Sequence, residues 1–208
     1  MKKYLRQIHL WLSLPAGIVL FIICLTGAIL VFKDEILSVT GYASMRESPF
    51  LSVVMRLHRW LMDDSRTLGK MVVGISTLFF IFILVSGIGI YWPKRWKKRN
   101  FVVNSGLGCR RFIFDLHSVL GLYAAIILLI CAFTGLMWSF QWYRDVVGFI
   151  FGLELQRGAP AWKIIKSIHF GDYAGMVSKI LTSIAALIGA SLPLTGYWMY
   201  FKKERRKS

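Results

Sequence analysis

Apolar and polar positions along the chain fall into two regimes. Four stretches carry no Asp, Glu, Lys or Arg: Leu10 to Phe32, Met71 to Trp92, Leu116 to Tyr143 and Ile180 to Phe201, of 23, 22, 28 and 22 residues. At ~1.5 Å rise per residue each is long enough to cross ~30 Å of hydrocarbon as a helix. Between the first and second stretches the pattern changes. After Pro49, residues Val54, Leu57, His58 and Leu61 follow an i, i+3, i+4, i+7 stripe, with Arg56, Arg59 and Asp63 off it. This predicts a short amphipathic helix with Pro49 near its first turn, Ser48 as cap and an end at Asp63-Asp64. Between the third and fourth stretches, after Pro160, Trp162, Ile165, Ile168 and His169 share one side and Lys163, Lys166 and Ser167 another. Both helices are expected to lie on the membrane surface with their histidines turned toward the bilayer and the bundle.

The same layout occurs twice. His9 precedes Thr26-Gly27 by 17 residues and His117 precedes Thr134-Gly135 by 17, an offset of 108 between halves. Pro49 to His58 and Pro160 to His169 are both nine residues, at an offset of 111, and Ser86-Gly87 matches Thr195-Gly196 at 109. The two halves enter the membrane in the same direction, so they are expected to be related by an axis along the membrane normal.

Composition and charge then set the class and the orientation. Of 208 residues 56% are apolar and 17% charged, where a soluble domain holds ~25% charge. Mean hydropathy is +0.59. The net charge of +16 is unevenly placed. Residues before the first span, between spans two and three (Lys94, Arg95, Lys97, Lys98, Arg99, Arg110, Arg111) and after span four total 15 basic against two acidic (Asp115, Glu204). The other two loops and their flanks hold 11 basic and eight acidic. This is the positive-inside pattern with both termini cytoplasmic, and it removes the need for a nucleic-acid partner. The first span follows Lys2, Lys3 and Arg6 but is too long for a signal-peptide core and ends at Phe32-Lys33-Asp34-Glu35 without an A-x-A-like site, so it reads as a retained span. The expected fold is therefore all-α and integral to the membrane: a four-transmembrane-helix bundle made of two parallel two-helix repeats, each with a short periplasmic interfacial helix. Residues 1–100 form the first repeat (spans about 10–32 and 71–92) and 101–208 the second (spans about 116–140 and 180–201).

Candidate chemistry rests on the histidines. There are four, His9, His58, His117 and His169, and all occupy repeat-equivalent positions. An axis between the halves makes them an inner pair, His9 and His117, and an outer pair, His58 and His169. Two facing imidazoles suit the axial positions of a haem iron, with the macrocycle against small-residue helix faces. Gly17, Gly27, Gly87, Gly89, Gly121, Gly135 and Gly196 are candidates for those faces. Arg6, Arg110 and Arg111 inside, and Arg59, Arg66 or Lys163 outside, are candidate partners for propionates. Two other classes stay open on the residues alone. One is a non-enzymatic accessory or scaffold protein with interfacial histidines. The other is a metal transport component, a zinc or copper path in which Cys24 and Cys131 join two histidines. The three cysteines, Cys24, Cys109 and Cys131, imply no disulfide framework, and no C-x-x-C or C-x-x-C-H occurs.

Other features have plainer readings. Trp11, Trp60, Tyr91, Trp92, Trp138, Tyr197, Trp198 and Tyr200 fall mostly at span ends, as an aromatic belt does. The Thr-Gly pairs read as helix-packing sites, and Pro15 and Pro193 as kinks or re-entry points. Gly87-Ile88-Gly89 and Gly106-Leu107-Gly108 are not dinucleotide fingerprints, since neither lies between a strand and a helix. Electrons are thus expected from a quinol or a separate cytoplasmic protein.

Several segments resemble the PepSY-associated transmembrane family. They are Arg6-Gln7-Ile8-His9-Leu10-Trp11-Leu12, Leu25-Thr26-Gly27 with Val31-Phe32-Lys33-Asp34-Glu35-Ile36, Leu57-His58-Arg59-Trp60-Leu61, Tyr91-Trp92-Pro93-Lys94, Leu116-His117-Ser118-Val119-Leu120-Gly121, and Phe133-Thr134-Gly135. The resemblance covers all four spans, most loosely the fourth. It implies an inner-membrane protein of the iron-regulated, ferrisiderophore-reductase-like type, a haem-dependent oxidoreductase that binds haem b and reduces ferric siderophores on the periplasmic side. On this chain it implies His9, His58 and His117 as haem-iron ligands, with His169 added by the repeat, and two haems. The outer loops, roughly 36 residues each, leave little room for the periplasmic PepSY domain of larger members, so this chain is expected either to lack what that domain does or to take it from a periplasmic partner, and a homo-oligomer is a further expectation.

Overall fold

The computed structural model of the chain describes residues 2–92, 101–104, 106, 108–156 and 158–204, with side chains as far as Lys202. The loop cations Lys94, Arg95, Lys97, Lys98 and Arg99, together with Pro93, Leu107, Arg205, Arg206 and Lys207, lie outside the described residues. Among the described residues the regular secondary structure is all helical, with no strand. Four long apolar helices give a multi-pass membrane protein: α1 (Lys2–Leu30), α4 (Leu68–Tyr91), the segment Cys109–Ser139 and α9 (Gly175–Glu204). The third is composite, with α5 (Cys109–Asp115), a π-helical turn Leu116–Leu120 and α6 (Gly121–Ser139). Shorter helices fill the loops: α2 (Lys33–Thr40), α3 (Pro49–Trp60), α7 (Gln141–Phe151) and α8 (Pro160–Phe170).

Each predicted span falls on an observed helix, although Val31 and Phe32, Trp92 and Phe140 lie just beyond the C-terminal ends of theirs. The helices run further because polar residues at their ends continue the backbone pattern, as Lys2–His9 does for α1. Pro15 and Pro193 sit inside continuous helices. Two helices, α2 and α7, went unpredicted, because the charges of Lys33-Asp34-Glu35 and the polar Gln141 read as span endings. The end of α3 also differs from expectation. It stops at Trp60, with Leu61 left-handed at its C-cap, and the Asp63 carboxylate accepts from the backbone N–H groups of Ser65, Thr67 and Gly69 instead. Asp63 thus starts α4 and does not finish α3, and the Gly69 N–H above all holds its carboxyl below the usual range.

The spans form a ring in which α1 and α6 each pack against both α4 and α9, while α3 seats on α1 and α4 and α8 on α6. Small residues line the centre: Ala16, Cys24, Ala124, Ala125, Ala132, Ala185 and Ala190 surround Leu20, Phe80, Leu84 and Leu128. They let backbones approach closely, which is what holds helices together where lipid is as apolar as leucine. Tyr197 of α9 donates to the Leu14 carbonyl of α1 at 2.6 Å, and its ring passes where a Cβ on Gly17 would stand. Two satellite clusters fix the surface helices. Leu30, Leu51 and Val54 lie under α3, and Met137, Leu155 and Trp162 lie under α8.

The α3–α4 corner is the tightest point. A Cβ on Gly69 would lie 1.8 Å from the Trp60 carbonyl oxygen. Gly69→Ala is expected to destabilise the fold by at least ~1–3 kcal/mol, since backbone and not a rotamer must yield. A thermal melt in detergent checks this against Leu68→Ala, at an exposed neighbour, which should stay within ~0.5 kcal/mol of the parent.

Candidate functional site

The sequence places four serine or threonine residues directly before glycines in the spans, and each of these dipeptides meets a histidine. Ser86 Oγ lies 3.0 Å from His9 Nδ1, Thr26 Oγ1 3.1 Å from His58 Nδ1, Thr195 Oγ1 2.8 Å from His117 Nδ1, and Thr134 Oγ1 3.0 Å from His169 Nδ1. The glycine beside each hydroxyl takes the ring edge. A Cβ there would stand 3.4 Å (Gly87), 3.2 Å (Gly27), 3.6 Å (Gly196) or 3.1 Å (Gly135) from the Cε1 of the same histidine. Gly17, Gly89 and Gly121, also candidates from sequence, face Tyr197, Leu5 and Leu192 instead and serve packing.

The direction of these bonds follows from the helices. Each hydroxyl gives its one proton to a carbonyl of its own helix: Ser86 to Ile83, Thr26 to Ile22, Thr134 to Ile130 and Thr195 to Ser191. Its oxygen then accepts, so the imidazole Nδ1–H donates. The Ile23 carbonyl, 3.0 Å from His58 Nδ1, can only accept and requires the same tautomer. All four histidines are thereby held with Nδ1 protonated and Nε2 free as a base, the arrangement in which an outer hydrogen bond orients a metal-binding imidazole.

The tertiary structure brings the rings together in two pairs. His9 and His117 have centroids 6.5 Å apart, and His58 and His169 6.4 Å apart. The first pair lies at the end of the bundle where Lys2 reaches the Ile90 and Trp92 carbonyls, the second at the far end, beneath α3 and α8. The far pair shares a cavity with Gly27, Gly135, Cys24, Cys131, Trp60 and Trp138. Two tryptophans assigned to an aromatic belt therefore line this site, and Trp138 lies 5.1 Å from the His169 ring. Among the described residues no three His, Cys, Asp or Glu side chains gather as a metal cluster, so Cys24 and Cys131 complete no closed zinc site there.

The candidate cations divide. Arg59 lines the cavity and lies 4.6 Å from the Trp60 ring, and Arg66 covers the same ring at 4.6 Å. Arg111 pairs with the buried Asp115, and Lys163 is exposed. The hydroxyls were missed as site residues. Their signal was present, since each Ser/Thr-Gly keeps a fixed spacing from a histidine, but a packing role explains Thr-Gly in a membrane helix equally well.

These features define a class, a multi-pass membrane protein with paired histidines at both ends of a four-helix bundle. Residues 6–49, 38–163 and 152–203 match the PepSY-associated TM region, and the chain belongs to that family. No curated protein and no solved structure matches it.

Burial also sets the proton affinity of the far pair, on the surface helices. Desolvation pushes His58 down to about 4, the Arg59 charge adding to it against the pull of the Ile23 carbonyl, and takes His169 to about 3, helped by His58. Because both lie below the ordinary ~6.5, the unfolded chain binds these protons more readily, and stability is lost as pH falls through about 6.5 toward 4. The detergent-solubilised, ligand-free protein is expected to show a thermal midpoint that drops between pH 7 and pH 4. The drop should shrink in the His58→Gln/His169→Gln double variant, and an identical pH profile in that variant would contradict the assignment.

Proposed function

We propose that this protein is a haem-binding inner-membrane electron carrier that moves electrons from the cytoplasmic to the periplasmic side and reduces a periplasmic acceptor such as a ferric siderophore. One observation carries the reading: two pairs of imidazoles, every Nδ1 tied to a hydroxyl and every Nε2 free, with centroids 6.4 and 6.5 Å apart. Two imidazoles that each place a nitrogen ~2 Å from one metal ion have centroids ~6 Å apart, so the spacing would suit one iron held by both rings of a pair. The glycines of the far pair fit as well, because Gly27 and Gly135 leave the ring edges uncrowded where a Cβ would stand 3.2 and 3.1 Å from them.

In this reading His9 and His117 would hold one haem b and His58 and His169 the other, and the haem would supply reversible one-electron chemistry. The chain's own residues orient the ligands, exclude water and tune the potential through burial and the hydrogen bonds to Nδ1. The positions of His9 and Thr26 on α1, 17 residues apart, separate the two sites by ~25 Å along the helix axis. The basic excess at the ends carrying the termini supports a cytoplasmic location for that side. A cytoplasmic protein or a quinol supplies electrons, and surrounding lipid is the remaining partner.

The absorption spectrum of detergent-purified protein, oxidised and dithionite-reduced, tests this together with a pyridine haemochrome assay. We expect a Soret band and about two b-type haems per chain, reduced to about one in His9→Ala and in His58→Ala. No Soret band after expression with ample haem sinks the proposal, and unchanged haem content in both variants sinks the ligand assignment.

A further inference from the structure

The cavity that holds His58 and His169 is lined by three cationic side chains from three different helices: Lys33 of α2, Arg59 of α3 and Lys70 of α4. Their company differs. Lys33 pairs with Asp34 and lies 5.3 Å from the centre of the Phe170 ring. Arg59 stacks on Trp60. Lys70, among the described residues, has no carboxylate within ion-pair distance. Asp63 is close in sequence, but its oxygens serve the backbone N–H groups of Ser65, Thr67 and Gly69.

The internal repeat marks this as a departure. Lys70 corresponds to Lys179 at the same offset of 109 that relates Ser86 to Thr195. Lys179 is neutralised across the halves by Glu35, at 2.6 Å. The counterpart of Glu35, at the offset of 108, is Tyr143, which carries no charge. One of two equivalent lysines is thus paired, and the other lines the cavity with its charge uncompensated. Lys70 shares the cavity lining with Val73, Thr77, Phe80 and Leu30, and an anion entering there would meet a cation that no described carboxylate neutralises.

We propose that Lys70, with Arg59 and Lys33 beside it, forms a recognition site for ligand carboxylates in this cavity. Two sources carry that chemistry: the propionates of a porphyrin held between His58 and His169, or an anionic ferric chelate arriving as electron acceptor. The first source rests on the haem reading above, and the second stands without it.

The experiment uses the full chain in detergent after expression with ample haem, comparing the parent with Lys70→Gln, Lys70→Arg and Lys179→Gln. Haem per chain is measured by pyridine haemochrome. Retention of radiolabelled ferric citrate, an anionic chelate, is measured by equilibrium dialysis beside a neutral ferric trihydroxamate. Loss of haem in Lys70→Gln, restored in Lys70→Arg, assigns the site to the porphyrin. Unchanged haem with about tenfold weaker retention of ferric citrate, and none for the neutral chelate, assigns it to the acceptor. Lys179→Gln should leave both readouts as in the parent. The proposal is overturned if Lys70→Gln changes neither readout, or if Lys70→Arg and Lys179→Gln lose as much as Lys70→Gln. Should the parent bind no haem, the electron-transfer reading fails, and ferric citrate dialysis alone decides the carboxylate site by the same criterion.

Discussion

A hydroxyl whose proton is already committed to a helix carbonyl has only an acceptor left to offer, and each histidine of this chain is held by one. Ser86, Thr26, Thr195 and Thr134 all donate along their own helices and accept from an imidazole on another element. The constraint fixes the tautomer, aims the ring and leaves the second nitrogen basic. It also brings the ring edge up to the neighbouring glycine: a Cβ would stand tightly against it at Gly135 and Gly27, 3.1 and 3.2 Å away, and in ordinary contact at Gly87 and Gly196, 3.4 and 3.6 Å away. At the far pair the Thr-Gly dipeptide is therefore one device with two parts, a tether and a clearance.

These tethers join elements within one half of the chain: α1 to α3 and α4, and the segment carrying His117 and α6 to α9 and α8. The pairs they serve, in contrast, span the two halves. The separation of the imidazoles is thus set by packing between halves, where Tyr197 bonds Leu14 and Ser183 bonds the Ala28 carbonyl. Gly17 and Gly189, which admit Tyr197 and the Cys24 and Leu128 side chains, belong to the same control. Orientation of each ring is local, and distance between rings is global.

The halves are not interchangeable despite their common plan. His58 shares α3 with Leu51 and Val54, which pack with Leu30 in an aliphatic cluster, whereas His169 lies against Trp138 and Phe170, with Trp162 behind. His9 lies in an uninterrupted α-helix, while His117 lies in a π-helical turn, which widens the helix locally and resets the register of the side chains after it. Charge is asymmetric as well, since only one of the two equivalent lysines has its carboxylate. Such differences give the two histidine pairs distinct surroundings.

The spans, the surface helices α3 and α8 and the four histidines were all legible in the sequence, because bilayer thickness, helical periodicity and repeat spacing are one-dimensional constraints. The helices α2 and α7 were not, since a charge directly after an apolar run looks the same whether the chain turns into a loop or lies down as another helix. Nor was the end of α3, where the Asp63 carboxylate chose the backbone of the following helix. The tethers hid for a different reason. A Thr-Gly pair in a membrane helix is satisfied by its own backbone and by close packing, and nothing along the chain says that a ring from another element will arrive. By itself the sequence determined how far each segment reaches and which residues repeat. Only the tertiary structure decided which hydroxyl meets which imidazole and that the rings of each pair stand 6.4–6.5 Å apart, because those distances depend on the interlocking of small residues between helices distant in sequence.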